Sequence, residues 1–222
     1  MKTDSQIQKD VMEELNWEPI LNACEIGVSV KNQVVTLSGT LETYSKKLAA
    51  ETAAKRVSGV KAVAMDIEVR PSSIGKRNDT EIAQAVVNAL RWNSQVPDEK
   101  IKTKVEDGWV TLEGELEWEF QKTASYKAVE DLLGVKGVIN NLKLVSKIKP
   151  ADIKQKITSA LERSATLDAE RISVETIGNK VILKGSVRSW AEKKDAEHAA
   201  FAAPGVTEVT NELLISSEVP VY

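Results

Sequence analysis

The chain reads as an α+β protein of three tandem αββαβ units, each with two helices packed on a small three-stranded sheet. Two observations predict this. One short stretch is written three times, as Val35-Thr36-Leu37-Ser38-Gly39, Val110-Thr111-Leu112-Glu113-Gly114 and Val181-Ile182-Leu183-Lys184-Gly185. Gly39 to Gly59, Gly114 to Gly134 and Gly185 to Gly205 then span one common distance, and each second glycine is followed by a valine, Val60, Val135 or Val206. Self-similarity at fixed spacing marks repeated units rather than one large fold. The expected units are residues 1–69, 78–145 and 146–222, with a basic linker at 70–77 and a short one, Ser146-Lys147-Ile148-Lys149, ahead of the third core. The shorter linker predicts that the second and third units are the more rigidly coupled pair.

Each unit opens with an amphipathic helix. Ile7, Val11 and Leu15 recur as Ile82, Val86, Leu90 and as Ile153, Ile157, Leu161, the i, i+4, i+8 stripe of a 3.6-residue period. Asp4 and Asp79 stand where an N-cap would accept the first free amides, and Pro150 suits the first helical position of the third unit. Trp17 and Trp92 follow the stripe at equivalent positions, with Arg163 in the third unit. They are either an aromatic lid on the helix end or an exposed anchor for a partner or lipid headgroups.

A hairpin comes next. Ile26, Val28 and Val30 alternate as a half-buried strand does, and so do Ile101, Thr103, Val105 and Ile172, Val174, Thr176. The pairs Asn32-Gln33, Asp107-Gly108 and Gly178-Asn179 contain residue types that tolerate the positive φ of tight two-residue turns. The repeated motif is the second strand, and its glycine marks a close backbone approach or bend; no G-x-G-x-x-G or Walker pattern accompanies it to make a phosphate cradle. A second helix follows, capped by Thr43 in the first unit and by Ser189 with Glu192 in the third, with Trp118 at that place in the second. Ala53, Ala128 and Ala199 are expected on its inner face, extended by Ala49, Ala124 and Ala200, and Gly59, Gly134 and Gly205 at its C′ position. A last apolar strand closes each unit.

In these features, V-x-L-x-G, an aromatic near the start of the next helix (Tyr44, Trp190), an alanine-rich helix, G-V-x-x-V and a final apolar strand, the chain resembles the BON domain family, three times over. The resemblance implies two helices against a three-stranded sheet. It implies a non-enzymatic envelope or stress protein; some members bind anionic phospholipid, and one type binds potassium with the help of an extra domain that is absent here. Many family members carry a secretion or lipoprotein leader.

Composition narrows the partners. Net charge is −3; residues 78–145 carry 12 acidic and 8 basic groups, and 1–69 carry 10 and 8. That is the wrong balance for neutralising many phosphates, so nucleic acid is not an expected partner. Met1 to Gln6 leads into charged residues without an apolar run, and no stretch approaches the ~20 apolar residues of a membrane span. The expected location is cytoplasmic, or periplasmic if a leader was removed.

Chemistry is sparse. His198 is the only histidine and Cys24 the only cysteine; both align with polar residues in the other units and are expected at the surface. No catalytic centre, metal site or cofactor is expected. Glu113, Glu115, Glu117 and Glu119 alternate, and would share one side and offer a weak cation site if the extended conformation persisted. Trp118 and Phe120 interleave with them, with Trp109 upstream, an aromatic and acidic surface suited to a protein partner. The expected contacts for a protein partner or an anionic phospholipid surface are Trp17, Trp92, Trp118, Phe120, Lys46, Lys47, Lys76 and Arg77. The leading expectation is a multivalent adaptor tied to osmotic or envelope stress. Peripheral membrane binding and potassium-responsive sensing are the alternatives.

Overall fold

The structure is a computed structural model that describes residues 2–73, 75–145, 153–164 and 169–216. The αββαβ order appears three times. The first repeat contains α1 (Asp4–Trp17), β1 (Ile26–Lys31), β2 (Val34–Leu41), α2 (Tyr44–Arg56) and β3 (Ala62–Val69). The second contains α3 (Asp79–Trp92), β4 (Ile101–Glu106), β5 (Trp109–Leu116), α4 (Glu119–Glu130) and β6 (Gly137–Leu144). The third contains α5 (Ile153–Glu162), β7 (Ile172–Ile177), β8 (Lys180–Val187), α6 (Trp190–Phe201) and β9 (Glu208–Ile215). Three separate three-stranded sheets result, each with the motif strand in the centre. In the first and third repeats that strand pairs antiparallel with the strand before it and parallel with the strand after it.

One face of each sheet is covered. Ile7, Val11 and Leu15 of α1 pack with Val35, Leu37 and Leu41 of β2 and Ala50, Ala53 and Ala54 of α2. Ile153, Ile157 and Leu161 do the same with Val181, Leu183, Val187, Ala196 and Ala200. Ile7, Ile82 and Ile153 are all buried, as are Leu37, Leu112 and Leu183. Of the alanines expected on the inner face of the second helix, Ala53, Ala124 and Ala200 are buried, while Ala49, Ala128 and Ala199 are only half-buried; the register common to all three repeats lies at Ala50, Ser125 and Ala196 and at Ala54, Val129 and Ala200. Ser125 is tolerated there because its hydroxyl donates to the Gln121 carbonyl at 2.7 Å, leaving no unmet donor in the core.

The motif glycine is a close approach, though it lies inside the strand rather than at its end. Gly39 has φ +136°, and a Cβ there would collide with the Glu25 carbonyl oxygen. Lys100 and Arg171 take Glu25's place over Gly114 and Gly185. In each repeat a single 3₁₀ turn (Ala23–Glu25, Asp98–Lys100, Ala169–Arg171) therefore crosses directly over the central strand.

The hairpin turns have two residues, with positive φ of 53° and 65° at Asn32 and Gln33, 50° and 80° at Asp107 and Gly108, and 59° at Gly178, whereas Asn179 does not adopt a positive φ. Asp4 and Asp79, expected as N-caps, have another role. The caps are Thr3 and Asn78, each completing a capping box with Gln6 or Glu81. One residue later, Asp4 accepts the amides of Asn32 (2.7 Å) and Gln33 (2.9 Å), and Asp79 those of Asp107 and Gly108 (both 2.9 Å). The hairpin turn, whose amides point outward, is thereby tied to the helix start. Pro150 and the linker 146–149 lie outside the described residues.

Gly59, Gly134 and Gly205 have positive φ but are not C′ residues. They stand at the third position of turns closed by Val60 to Val57, Val135 to Leu132 and Val206 to Ala203. In the third repeat Pro204 precedes the glycine, as a type II turn prefers.

By compactness the chain divides into residues 1–114 with 121–142, and residues 115–120 with 143–222. Most of the second repeat thus falls in the same compact unit as the first. The Arg70 amide, donating to the Leu41 carbonyl at 2.8 Å, holds the start of the 70–77 linker against the first sheet.

Candidate functional site

The helix stripe that buries Leu15 also decides where Trp17 goes. Two residues further is about 200° around a helix, so Trp17 must face away from the core. It is 83% exposed and Trp92, placed the same way after Leu90, is 87% exposed. The lid reading fails for both: Leu21, half-buried against the first core, and Val96, buried, follow the helix ends instead. Beside Trp17 the acids Glu14 and Glu18 are both bridged by Arg56, at 3.1 and 2.6 Å, which fastens the ends of α1 and α2 together. Methionine and valine at equivalent outward positions, Met12 and Val87, are half exposed on the same two helices.

Trp118 and Phe120 stack with ring centroids 6.4 Å apart and an interplanar angle of 28°. Phe120 is about half exposed and Trp118 half-buried. Trp109 is used differently: its ring lies against Gly137 of the neighbouring strand, where any Cβ would strike it. None of the three enters the core. The run of glutamates is not one face. Strand β5 ends at Leu116, Glu117 sits in a bend and Glu119 begins α4, so the alternation stops after Glu115. Among the described residues no group of three or more His, Cys, Asp or Glu side chains is gathered as a metal site. Cys24 and His198 are exposed.

The lysines expected at a lipid surface are mostly engaged. Lys46 pairs with Glu42 at 3.1 Å. The Lys47 ammonium donates to the Ile67 carbonyl at 2.7 Å, and Lys193, at the equivalent position, donates to Leu213 at 2.7 Å. Both tie the second helix to the third strand, a structural task that sequence could not reveal because the acceptor is a backbone atom 20 residues away. Lys193 also sits 5.7 Å over the Trp190 ring.

Lys76 and Arg77 line a pocket of about 510 Å³ with Arg70, Lys136 and the turn glycines Gly108 and Gly134. Its acids are Glu68, Asp79 and Asp107. Glu68 receives Arg70 at 2.7 Å, which holds its carboxyl below the usual carboxylate range, helped by the charges of Arg70 and Lys136. The same bond raises the Arg70 guanidinium. Asp79 is occupied by the two hairpin amides. Sequence reasoning found Lys76 and Arg77 as a basic linker but missed Lys136, which arrives from beyond α4.

One contact joins the first two repeats directly. The Tyr44 and Tyr126 hydroxyls are 2.9 Å apart. Burial first, then this hydrogen bond, pushes the Tyr126 phenol well above its ordinary value.

No helix among the described residues is long and apolar enough to cross a membrane. Comparison with known proteins places the chain. It is 30% identical over 144 residues to osmotically-inducible protein Y of Escherichia coli (strain K12), a match covering 63% of this chain and 72% of that protein. Two solved structures of CdsD, a structural protein of the type III secretion system of Chlamydia trachomatis, align at 14% identity and a TM-score of 0.26. One alignment covers 94% of this chain and 91% of the other, and the second 97% and 100%; at that score neither supports a conclusion. The BON domain matches residues 3–71, 78–146 and 150–217, three times along nearly the whole sequence, and the chain belongs to the BON domain family.

Proposed function

We propose that the chain is a non-enzymatic, multivalent protein-binding adaptor of the osmotic stress response. The observation that supports it is the equivalence of Trp17 and Trp92, two large apolar side chains held in water at the same place in two repeats. Tryptophan is enriched at binding hot spots because one side chain buries a large area at small entropic cost. Two such anchors on one chain raise avidity without either being tight. The similarity to an osmotically inducible protein supports the physiological setting. Peripheral binding to anionic phospholipid has less behind it, since Lys47 is engaged within the fold and acids flank Trp17.

Affinity capture from native lysate, with proteins and lipids both identified, tests this when wild type is run beside a Trp17→Ala/Trp92→Ala double variant. Proteins retained by the wild type and lost from the double variant bear the proposal out. Anionic phospholipid retained in their place, or a protein set indifferent to the substitutions, overturns it.

A further inference from the structure

The pocket at the start of the second repeat is a built feature and lies apart from the tryptophan surface. Four cations reach it from three segments: Arg70 after β3, Lys76 and Arg77 before α3, and Lys136 before β6. Two of them are positioned by glycines. A Cβ on Gly134 would meet the Arg77 Cβ at 2.8 Å, and one on Gly108 would meet the Lys136 stem at 3.1 and 3.3 Å, so both side chains rest on bare backbone. The Lys136 amide also donates to the Gly108 carbonyl at 2.9 Å, fixing that residue to the turn.

The lining carries three acids against these four cations, a net charge of +1, and two of the acids have their oxygens turned to partners of their own. Both Asp79 oxygens accept hairpin amides, and Glu68 is held by Arg70. Asp107 remains as the exposed counter-charge, its backbone in the turn. The Glu68–Arg70 pair is well exposed on both sides, the kind of ion pair that a competing anion displaces at little cost.

We propose that this junction binds a small anion carrying two or more linked phosphates. A volume of about 510 Å³ is within the usual ~300–1,000 Å³ range of small-molecule sites, and cations from three chain segments suit a ligand with more than one anionic group. Guanidinium and ammonium groups together suit phosphate, the first as a fork and the second as a point charge. The apolar lining residues are Val69, which is buried, and Pro71, which is half-buried, so the pocket offers a bilayer no side chain to insert. The geometry therefore favours a dissolved phosphate compound over a lipid headgroup.

Titration calorimetry of the full chain with inorganic pyrophosphate, inorganic phosphate and phosphatidylglycerol vesicles distinguishes the sources. Saturable pyrophosphate binding, tighter than that of single phosphate and weakening with added salt, is expected. Lys76→Gln and Lys136→Gln should each weaken it severalfold and together at least tenfold, while Lys46→Gln, outside the pocket, leaves it unchanged; thermal melting checks that each variant is folded. Absence of saturable pyrophosphate binding, binding to vesicles alone, or a Lys76→Gln/Lys136→Gln variant with wild-type affinity overturns the proposal. Each of these results is separable from the tryptophan-dependent capture.

Discussion

The Tyr44 hydroxyl meets the Tyr126 hydroxyl at 2.9 Å, so the second helix of the first repeat is joined to the second helix of the next. Each unit of this size has little core of its own, and contacts that let one repeat lean on another count for more than they would in a large domain.

That bond makes an alkaline prediction. The Tyr126 phenol titrates above its ordinary value in the folded chain, chiefly through burial. Below about pH 10 both folded and unfolded states keep the proton, and the contribution is fully present. As pH rises past that point the unfolded state sheds its proton first and then binds fewer protons than the native one, so stability falls. Urea unfolding of wild type should lose stability more steeply above about pH 10 than Tyr126→Phe, which at neutral pH is weaker by about 1 kcal/mol. Parallel pH profiles for the two proteins would contradict this role.

A second prediction concerns Asp4, which accepts two turn amides 28 and 29 residues away. Asp4→Ala leaves both without their charged acceptor, and hydrogen bonds to a charged group contribute about 1.5–3 kcal/mol each when broken singly. Since both amides are near water, a total loss of about 1–3 kcal/mol is expected, together with faster amide exchange at Asn32 and Gln33. Exchange unchanged at those two amides would remove Asp4 from this role.

The central strand sets a third. In Gly114→Ala the new methyl group points into the Lys100 carbonyl, at a φ of +151° that side chains rarely adopt. The 3₁₀ turn must lift or the strand must shift, at a cost above about 2 kcal/mol. Leu112→Ala, from a fully buried site in the same strand, should cost about 2–5 kcal/mol. Hydrogen exchange localises both losses to the second repeat; full protection there in either variant would contradict the packing.

The parts of this fold that sequence shows plainly are those governed by local periodicity. The stripes at Ile7, Val11 and Leu15 and the alternation of Val35 and Leu37 repeat a period that belongs to helix and strand geometry themselves. What escapes it depends on chain segments far apart. Asp4 looks like a cap because a carboxylate at a helix start usually is one, and only the position of the hairpin turn shows otherwise. Lys47 looks like a surface charge until the Ile67 carbonyl is placed beside it. Lys136 reaches the pocket across 60 residues of chain from Lys76, so spacing could not bring the two together. The outward turn of Trp17 lies within the reach of the same periodicity, which buries Leu15 and carries Trp17 to the opposite face, although an aromatic at a helix end also reads as a lid.

That outward turn yields the last prediction. A side chain that is 83% or 87% exposed leaves little to lose on truncation, so Trp17→Ala and Trp92→Ala should each change folding stability by less than about 0.5 kcal/mol. If the two rings anchor a partner, their effect on binding is of another order. A hot-spot tryptophan is worth about 2 kcal/mol or more, roughly thirtyfold in affinity, and removing both also removes the avidity that links the repeats. The double variant should therefore melt with the wild type yet retain far less of its partner than either single variant. Measured together, melting temperature and retained partner separate this from a structural role. A double variant that loses stability and binding in proportion would assign the tryptophans to the fold.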